Sequence, residues 1–218
     1  MRRFEIFAIW LSLCLAFGLA LGGVSARAED RAGDFDFYVL SLSWSPTYCL
    51  DNGRSDRIQC GGRPYAFVVH GLWPQYERGF PSDCPTDLSP SVPRRDVDAM
   101  LDVMPSRSLI RHEWQKHGTC SGLNQSDYFA LVRKAQARVT IPTAFVDVTD
   151  PLTVTPAGVE SAFRNANPGI PANGFSVLCD SRLKEIRVCL TKDLAFRGCP
   201  EVERSACRRP QIVMPPVR

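Results

Sequence analysis

The chain has three histidines, and all of them fall in two short stretches. Arg111-His112-Glu113-Trp114-Gln115-Lys116-His117-Gly118-Thr119-Cys120 holds two, with a carboxylate and an ammonium between them. Phe67-Val68-Val69-His70-Gly71-Leu72-Trp73-Pro74-Gln75 holds the third. On a helix each residue advances about 100°, so His112 and Lys116 share a face, as do Glu113 and His117. The four make one patch about a turn and a half long. An ammonium beside two imidazoles is repulsive unless an anion sits in the middle. A phosphate group meets that demand, with Lys116 as a point charge and the imidazoles as donors or proton carriers. A solvated helix face explains Glu113 or Lys116 taken alone, but explains less well the four together with His70 on a separate element.

Two histidines from distant parts of the chain, plus a phosphate clamp, point to phosphoryl transfer by general acid–base catalysis. Imidazole has an unperturbed pKa of about 6.5, so one ring can be neutral and the other charged in mildly acidic water. If no metal takes part, the cheapest nucleophile is one carried by the substrate, the RNA 2′-hydroxyl. Cleavage then runs through a 2′,3′-cyclic phosphate, and DNA is spared. A zinc site is the first competitor, because His-Glu opens the metalloprotease helix motif. That motif needs histidines four apart. Here they are five apart, about 140° around the helix, and Lys116 repels a cation. A thiol nucleophile at Cys120 is the second competitor, and an even cysteine count in an exported chain argues for a disulfide there instead.

Residues 1–28 read as a signal peptide: Arg2 and Arg3 form a charged start, Ile6 to Val24 an apolar run, and Ala26-Arg27-Ala28 a cleavage site. A membrane anchor is the alternative for this segment. Residues 29–218 then form a single domain with a real core. With the leader removed the chain is close to charge balance, which excludes a protein that coats nucleic acid through a general positive field. One of the nine cysteines, Cys14, leaves with the leader. The remaining eight allow on the order of a hundred pairings and imply a periplasmic or secreted protein. No Cys-x-x-Cys pair occurs, against a zinc ribbon or thioredoxin-type site.

The positioning elements follow from local pattern. Phe35 to Trp44 reads as a strand with Leu40 and Leu42 on one face. Tyr48 to Pro64 reads as a loop. Tyr65 to Val69 reads as a short strand that leaves His70 at or just past its end, with Gly71 and Pro74 turning the chain. Gly79 to Val92 is loop. Helices are expected over Asp96 to Met104, Leu109 to His117, Ser126 to Val139 and Thr155 to Asn165, the last with Thr155 as cap and Pro156 in the first turn. Trp114 falls on the core side. Phe175 to Asp180 and Glu185 to Lys192 alternate as a β pair, and Pro142 to Pro151 is a loop. Helices flanking a few antiparallel strands predict an α+β fold.

His70-Gly71-Leu72-Trp73-Pro74 and His112-Glu113-Trp114-x-Lys116-His117-Gly118-Thr119-Cys120 resemble the two active-site segments of the ribonuclease T2 family. Tyr38-Val39-Leu40…Trp44-Ser45-Pro46-x-Tyr48-Cys49 resembles its upstream segment. The resemblance runs from about Phe35 to Cys120 and more loosely through Cys179 to Cys207. It implies a disulfide-stabilised α+β fold with a central antiparallel sheet, and endonucleolytic cleavage of single-stranded RNA without metal or other cofactor. Carried over by position, His117 is the base and His70 the acid of the first step. Glu113 and Lys116 stabilise the pentacovalent phosphate, His112 helps bind it, and Trp73 stacks a base. Trp73 as a plain core residue is the alternative. Gln75 stands where many relatives read a base edge with an acidic or amide side chain. Tyr76 and Phe80 are candidates for a second stacking wall. The implied disulfides are Cys49–Cys60, Cys84–Cys120, Cys179–Cys207 and Cys189–Cys199. A monomer, free of the membrane once the leader is cut, is the default expectation.

Overall fold

The computed structural model describes residues 30–217 apart from Arg54; the expected leader, with Cys14, lies outside the described residues. In chain order the elements are β1 (Phe37–Trp44), α1 (Ser45–Asn52), α2 (Arg57–Cys60), β2 (Phe67–Gln75), α3 (Arg94–Met100), α4 (Arg107–Lys116), α5 (Gln125–Ala137), β3 (Leu152–Val154), α6 (Pro156–Ala166), β4 (Phe175–Cys179), β5 (Leu183–Leu190), α7 (Pro200–Glu203) and β6 (Ile212–Met214). Four strands form an antiparallel sheet in the order β2-β1-β5-β4, and β3 pairs with β6 in a separate ribbon. This is the expected α+β architecture with a central antiparallel sheet.

Period-two alternation sorts the sheet into two unlike faces. Tyr38, Leu40, Leu42, Leu72, Ile186 and Val188 point into the main core, where Met100, Ile110, Trp114, Tyr128, Val132 and Phe163 from the helices meet them. The opposite face carries a smaller cluster of Phe37, Val39, Trp73, Cys189, Cys199 and Val202. Beyond that cluster the second face becomes polar: Ser41 pairs with Arg187 and Ser43 with Glu185.

Several boundaries differ from expectation for local reasons. Tyr48 to Pro64 is not a plain loop: Pro46 starts α1 in its first turn, and the Asp56 carboxylate accepts from Gln59 N to cap α2. Gly71 and Pro74 do not turn the chain either, because β2 runs on to Gln75. Proline is tolerated there because β2 is an edge strand. The ribbon strands β3 and β6 have three residues each, too short to register as a pattern. At α6 the expected cap is present, with Thr155 Oγ1 accepting from Gly158 N at 2.9 Å. Disulfides join Cys49–Cys60, Cys84–Cys120, Cys179–Cys207 and Cys189–Cys199, with Cα–Cα distances of 5.4, 5.0, 5.4 and 6.2 Å. Among the described residues no helix is long and apolar enough to cross a membrane.

Candidate active site

His70 owes its direction to a β-bulge. Ser41 pairs with Gly71 and Leu42 with Val69, so His70 is the extra residue on β2. Val69 and Leu72 both point into the main core. Strict alternation cannot turn both inward with two residues between them: counted from Leu72 it would send position 70 into the core, counted from Val69 to the polar face. The bulge instead brings His70 to the polar face, next to Trp73 (ring centroids 5.3 Å apart). Its Nδ1 is 2.8 Å from Glu185 Oε2 on β5, two strands away. Glu185 Oε1 in turn accepts from Arg187 Nε at 2.7 Å, and the Arg187 guanidinium lies 4.9 Å over the Trp73 ring.

The second half of the site rides on α4. Ile110 and Trp114, four apart and fully buried, fix the helix in the core. Glu113 faces the edge of β2 and is 1 % exposed, its Oε2 accepting from Trp73 Nε1 at 2.7 Å. Gly71 makes that approach possible. A Cβ there would stand 2.0 Å from Glu113 Oε2 and 2.2 Å from Trp73 Nε1. Glu113 Oε1 is 3.8 Å from His70 Nε2, too far for a hydrogen bond, so both remain available to a third group. His117 follows as the C-cap of α4, its ring centroid 5.3 Å from that of Trp73. The Cys84–Cys120 disulfide anchors the chain three residues on.

Burial and neighbouring charge separate the two imidazoles. His117 is buried among like charges (Lys116, His112 and His70), and its pKa falls to about 3. The helix C-terminus favours a protonated imidazole by about 0.3–1 kcal/mol at exposed sites, and here burial wins. Burial also acts to lower His70, but the hydrogen bond and charge of Glu185, with the charge of Glu113, outweigh it and leave its pKa raised. Glu113 is pushed up to about 7 by burial, against the pull of His70 and Trp73. Burial would raise Glu185 as well, yet His70 and Arg187 hold it below the usual carboxylate range. The result is one neutral imidazole, one that favours the charged form, and a carboxyl group that takes up a proton near neutrality.

The α4 residues do not form one open patch. Glu113 and His117 are buried, Lys116 is half-buried, and His112 is exposed. His112 instead shares with His70 a cavity of about 290 Å³, whose wall includes Tyr48, Ser106, Ser108 and Leu109. Lys116 makes no ion pair among the described residues. Trp73 is 9 % exposed. With its N–H on Glu113 and Arg187, His117 and His70 against its ring, it offers little face to a base. Gln75 ends β2 opposite Phe37, half-buried. Tyr76 bonds to Asp30, whereas Phe80 is 53 % exposed with its ring 6.4 Å from that of His117. Sequence reasoning missed Glu185 and Arg187. The signal available was a charged pair at alternate positions of a strand, and its partner emerges only from the sheet order. Among the described residues no cluster of three His, Cys, Asp or Glu side chains forms a ready metal site.

The chain is similar to known ribonucleases. A ribonuclease from Aeromonas hydrophila is 38 % identical over 176 residues, covering 78 % of each chain. Ribonuclease 1 of Arabidopsis thaliana is 35 % identical over 222 residues, covering 90 % of this chain and 94 % of the relative. The structure of RNase NT in complex with 5′-AMP superposes with a TM-score of 0.66 at 24 % identity, covering 84 % of this chain and 99 % of that one. The model of the Ribonuclease T2 family matches residues 35–199, a span that contains both histidine stretches and the β5 pair, and the chain belongs to that family.

Proposed function

We propose that the protein is an exported, metal-independent endoribonuclease that cleaves single-stranded RNA through 2′,3′-cyclic phosphate to 3′-phosphate ends. The observation that carries this is the pair of oppositely tuned imidazoles, His117 and His70, each 5.3 Å from the same indole. His117 Nδ1 is buried without a hydrogen-bond partner, so Nε2 is the nitrogen that takes the 2′-hydroxyl proton. The 2′-oxygen attacks phosphorus, and protonated His70 donates from Nε2 to the leaving 5′-oxygen. The cyclic phosphate is then opened by water with the two roles reversed. Glu113, which holds its proton below about 7, donates to the phosphoryl oxygens as charge builds on them, and Lys116 meets the same charge with its ammonium. His112 holds the substrate in the cavity it shares with His70. Phe80 supplies the exposed aromatic face for a base beside His117, and Gln75 lies at the end of β2, the strand that carries His70. Trp73 keeps Glu113 in place and leaves only an edge for base contact. The four disulfides support export to an oxidising compartment, periplasmic or extracellular. Residues 29–218 act as one catalytic domain and as a monomer.

Incubation with RNA and with DNA, each in excess EDTA near pH 5–7, is expected to give cyclic-phosphate ends on RNA and intact DNA. Cleavage abolished by the chelator, or cut DNA, would count against the mechanism.

The pH profile offers a second check. The base must be neutral, so kcat/KM rises as pH climbs through the His117 value of about 3. The acid must be protonated, so kcat/KM falls above the raised His70 value. Glu185→Gln removes the charge that raises His70, and the falling limb is expected to move to lower pH while the rising limb stays. A profile unchanged in Glu185→Gln would remove Glu185 as the positioning residue of the acid.

A further inference from the structure

The catalytic geometry gives the RNA strand a direction. His117 receives the 2′-hydroxyl proton and has exposed Phe80 beside it. His70 serves the leaving 5′-oxygen and lines the cavity of about 290 Å³. His70 also lines a cavity of about 250 Å³ with Lys184 and Glu185; the nucleotide on the 3′ side of the cut is assigned to the one that holds His112. Gln59 forms part of its wall, and Gln59 is also part of the wall of a larger cavity of about 470 Å³. The two cavities share the wall that this buried side chain forms, which makes the larger one the next cavity within reach of a strand continuing in the 3′ direction.

The larger cavity has the chemistry of a nucleotide site rather than of an ordinary surface dimple. Its walls carry one aromatic ring, Tyr65, beside prolines and aliphatic side chains, among them Pro151, Pro215 and Leu50. Leu50 is 62 % exposed, an apolar side chain left in water at the rim. The Arg63 guanidinium lies 5.6 Å over the Tyr65 ring. The one charged side chain in the lining is Arg182. Its terminal nitrogen bonds Asp51 at 2.9 Å, but its Nε–H is buried with no acceptor among the described residues. A buried donor without a partner is costly and is satisfied by any oxygen that enters. A nucleotide brings both a planar base for the ring-lined wall and phosphate oxygens for the arginine.

We propose that this cavity is a subsite for a further nucleotide on the 3′ side of the cut, with Tyr65 against the base and Arg182 on its phosphate. The inference rests on the ribonuclease reading above. It implies that the protein prefers strands extending at least two nucleotides past the cleaved bond over dinucleotides.

The test measures kcat/KM on a dinucleotide and on the same dinucleotide lengthened one nucleotide at a time at its 3′ end, with wild type, Tyr65→Ala and Arg182→Gln. Wild type is expected to gain about tenfold when the nucleotide that reaches the cavity is added, in line with stacking of one base. Both variants are expected to lose most of that gain and to cut the dinucleotide at the wild-type rate, which also certifies their folding. Equal wild-type rates on short and long substrates, or a gain that survives both substitutions, overturns the subsite. Absence of any wild-type cleavage overturns the ribonuclease reading instead, so the two failures are distinguishable.

Discussion

His117→Ala is expected to lower kcat by about 10²–10⁴-fold, and His70→Ala by a similar factor. The double variant should fall little further, because the two groups act on one proton-transfer sequence and their losses are not additive. The His117 ring is buried beside Trp73 and Phe80, so its truncation leaves a cavity and is expected to lower the unfolding midpoint as well; kinetics read below that midpoint separate the lost base from the loosened fold. His112→Ala serves as the contrast. Exposed in the wall of the substrate cavity, it should raise KM more than it lowers kcat. Single-turnover kinetics on a defined oligonucleotide, with thermal unfolding alongside, reads all four variants. A His117→Ala enzyme of full turnover would leave the base unassigned.

Gly71→Ala carries the other large effect, and it tests packing rather than proton transfer. The new methyl group would meet Glu113 Oε2 at 2.0 Å, Trp73 Nε1 at 2.2 Å and Glu113 Cδ at 2.8 Å. The Trp73–Glu113 hydrogen bond must break or the two elements must part. Overpacking of this kind costs about 1–3 kcal/mol, and in a chain of this size each kcal/mol lowers the unfolding midpoint by about 2–4 °C. Displacement of the Glu113 carboxyl by about 1 Å is enough to cost about 10²-fold in rate. Both a lower midpoint and a weaker enzyme are expected. A variant with normal kinetics and normal stability would mean that the carboxylate has freedom the structure does not give it.

The fold class and the residues that meet on the polar face were legible, and the details that bring them together were less so. Three histidines confined to two stretches announce themselves, and helical spacing correctly groups Glu113 with His117. Spacing does not say how deep a helix lies, so it could not tell that Glu113 and His117 are buried while His112 is exposed. The bulge at His70 was misread because Gly71 and Pro74 carry the local signature of a turn. Only the edge location of β2 makes them acceptable in a strand. Glu185 and Arg187 were invisible for another reason: alternate charged residues on a strand look the same whether they face water or an imidazole. Their meaning comes from β5 lying beside β1 in the sheet, a long-range pairing that no local window contains.

The odd residue in β2 also makes the catalytic face hostage to counting. Lengthening or shortening the loops around Gly62 or Gly79 leaves the imidazole's bearing as it is. Loss of one residue elsewhere in β2, at Val68 or Trp73 for example, would put the alternation out of step on that side of the bulge and exchange inward for outward side chains, without changing a single chemical group elsewhere. Natural variants of this scaffold should therefore tolerate ragged loops and forbid a missing letter inside that strand.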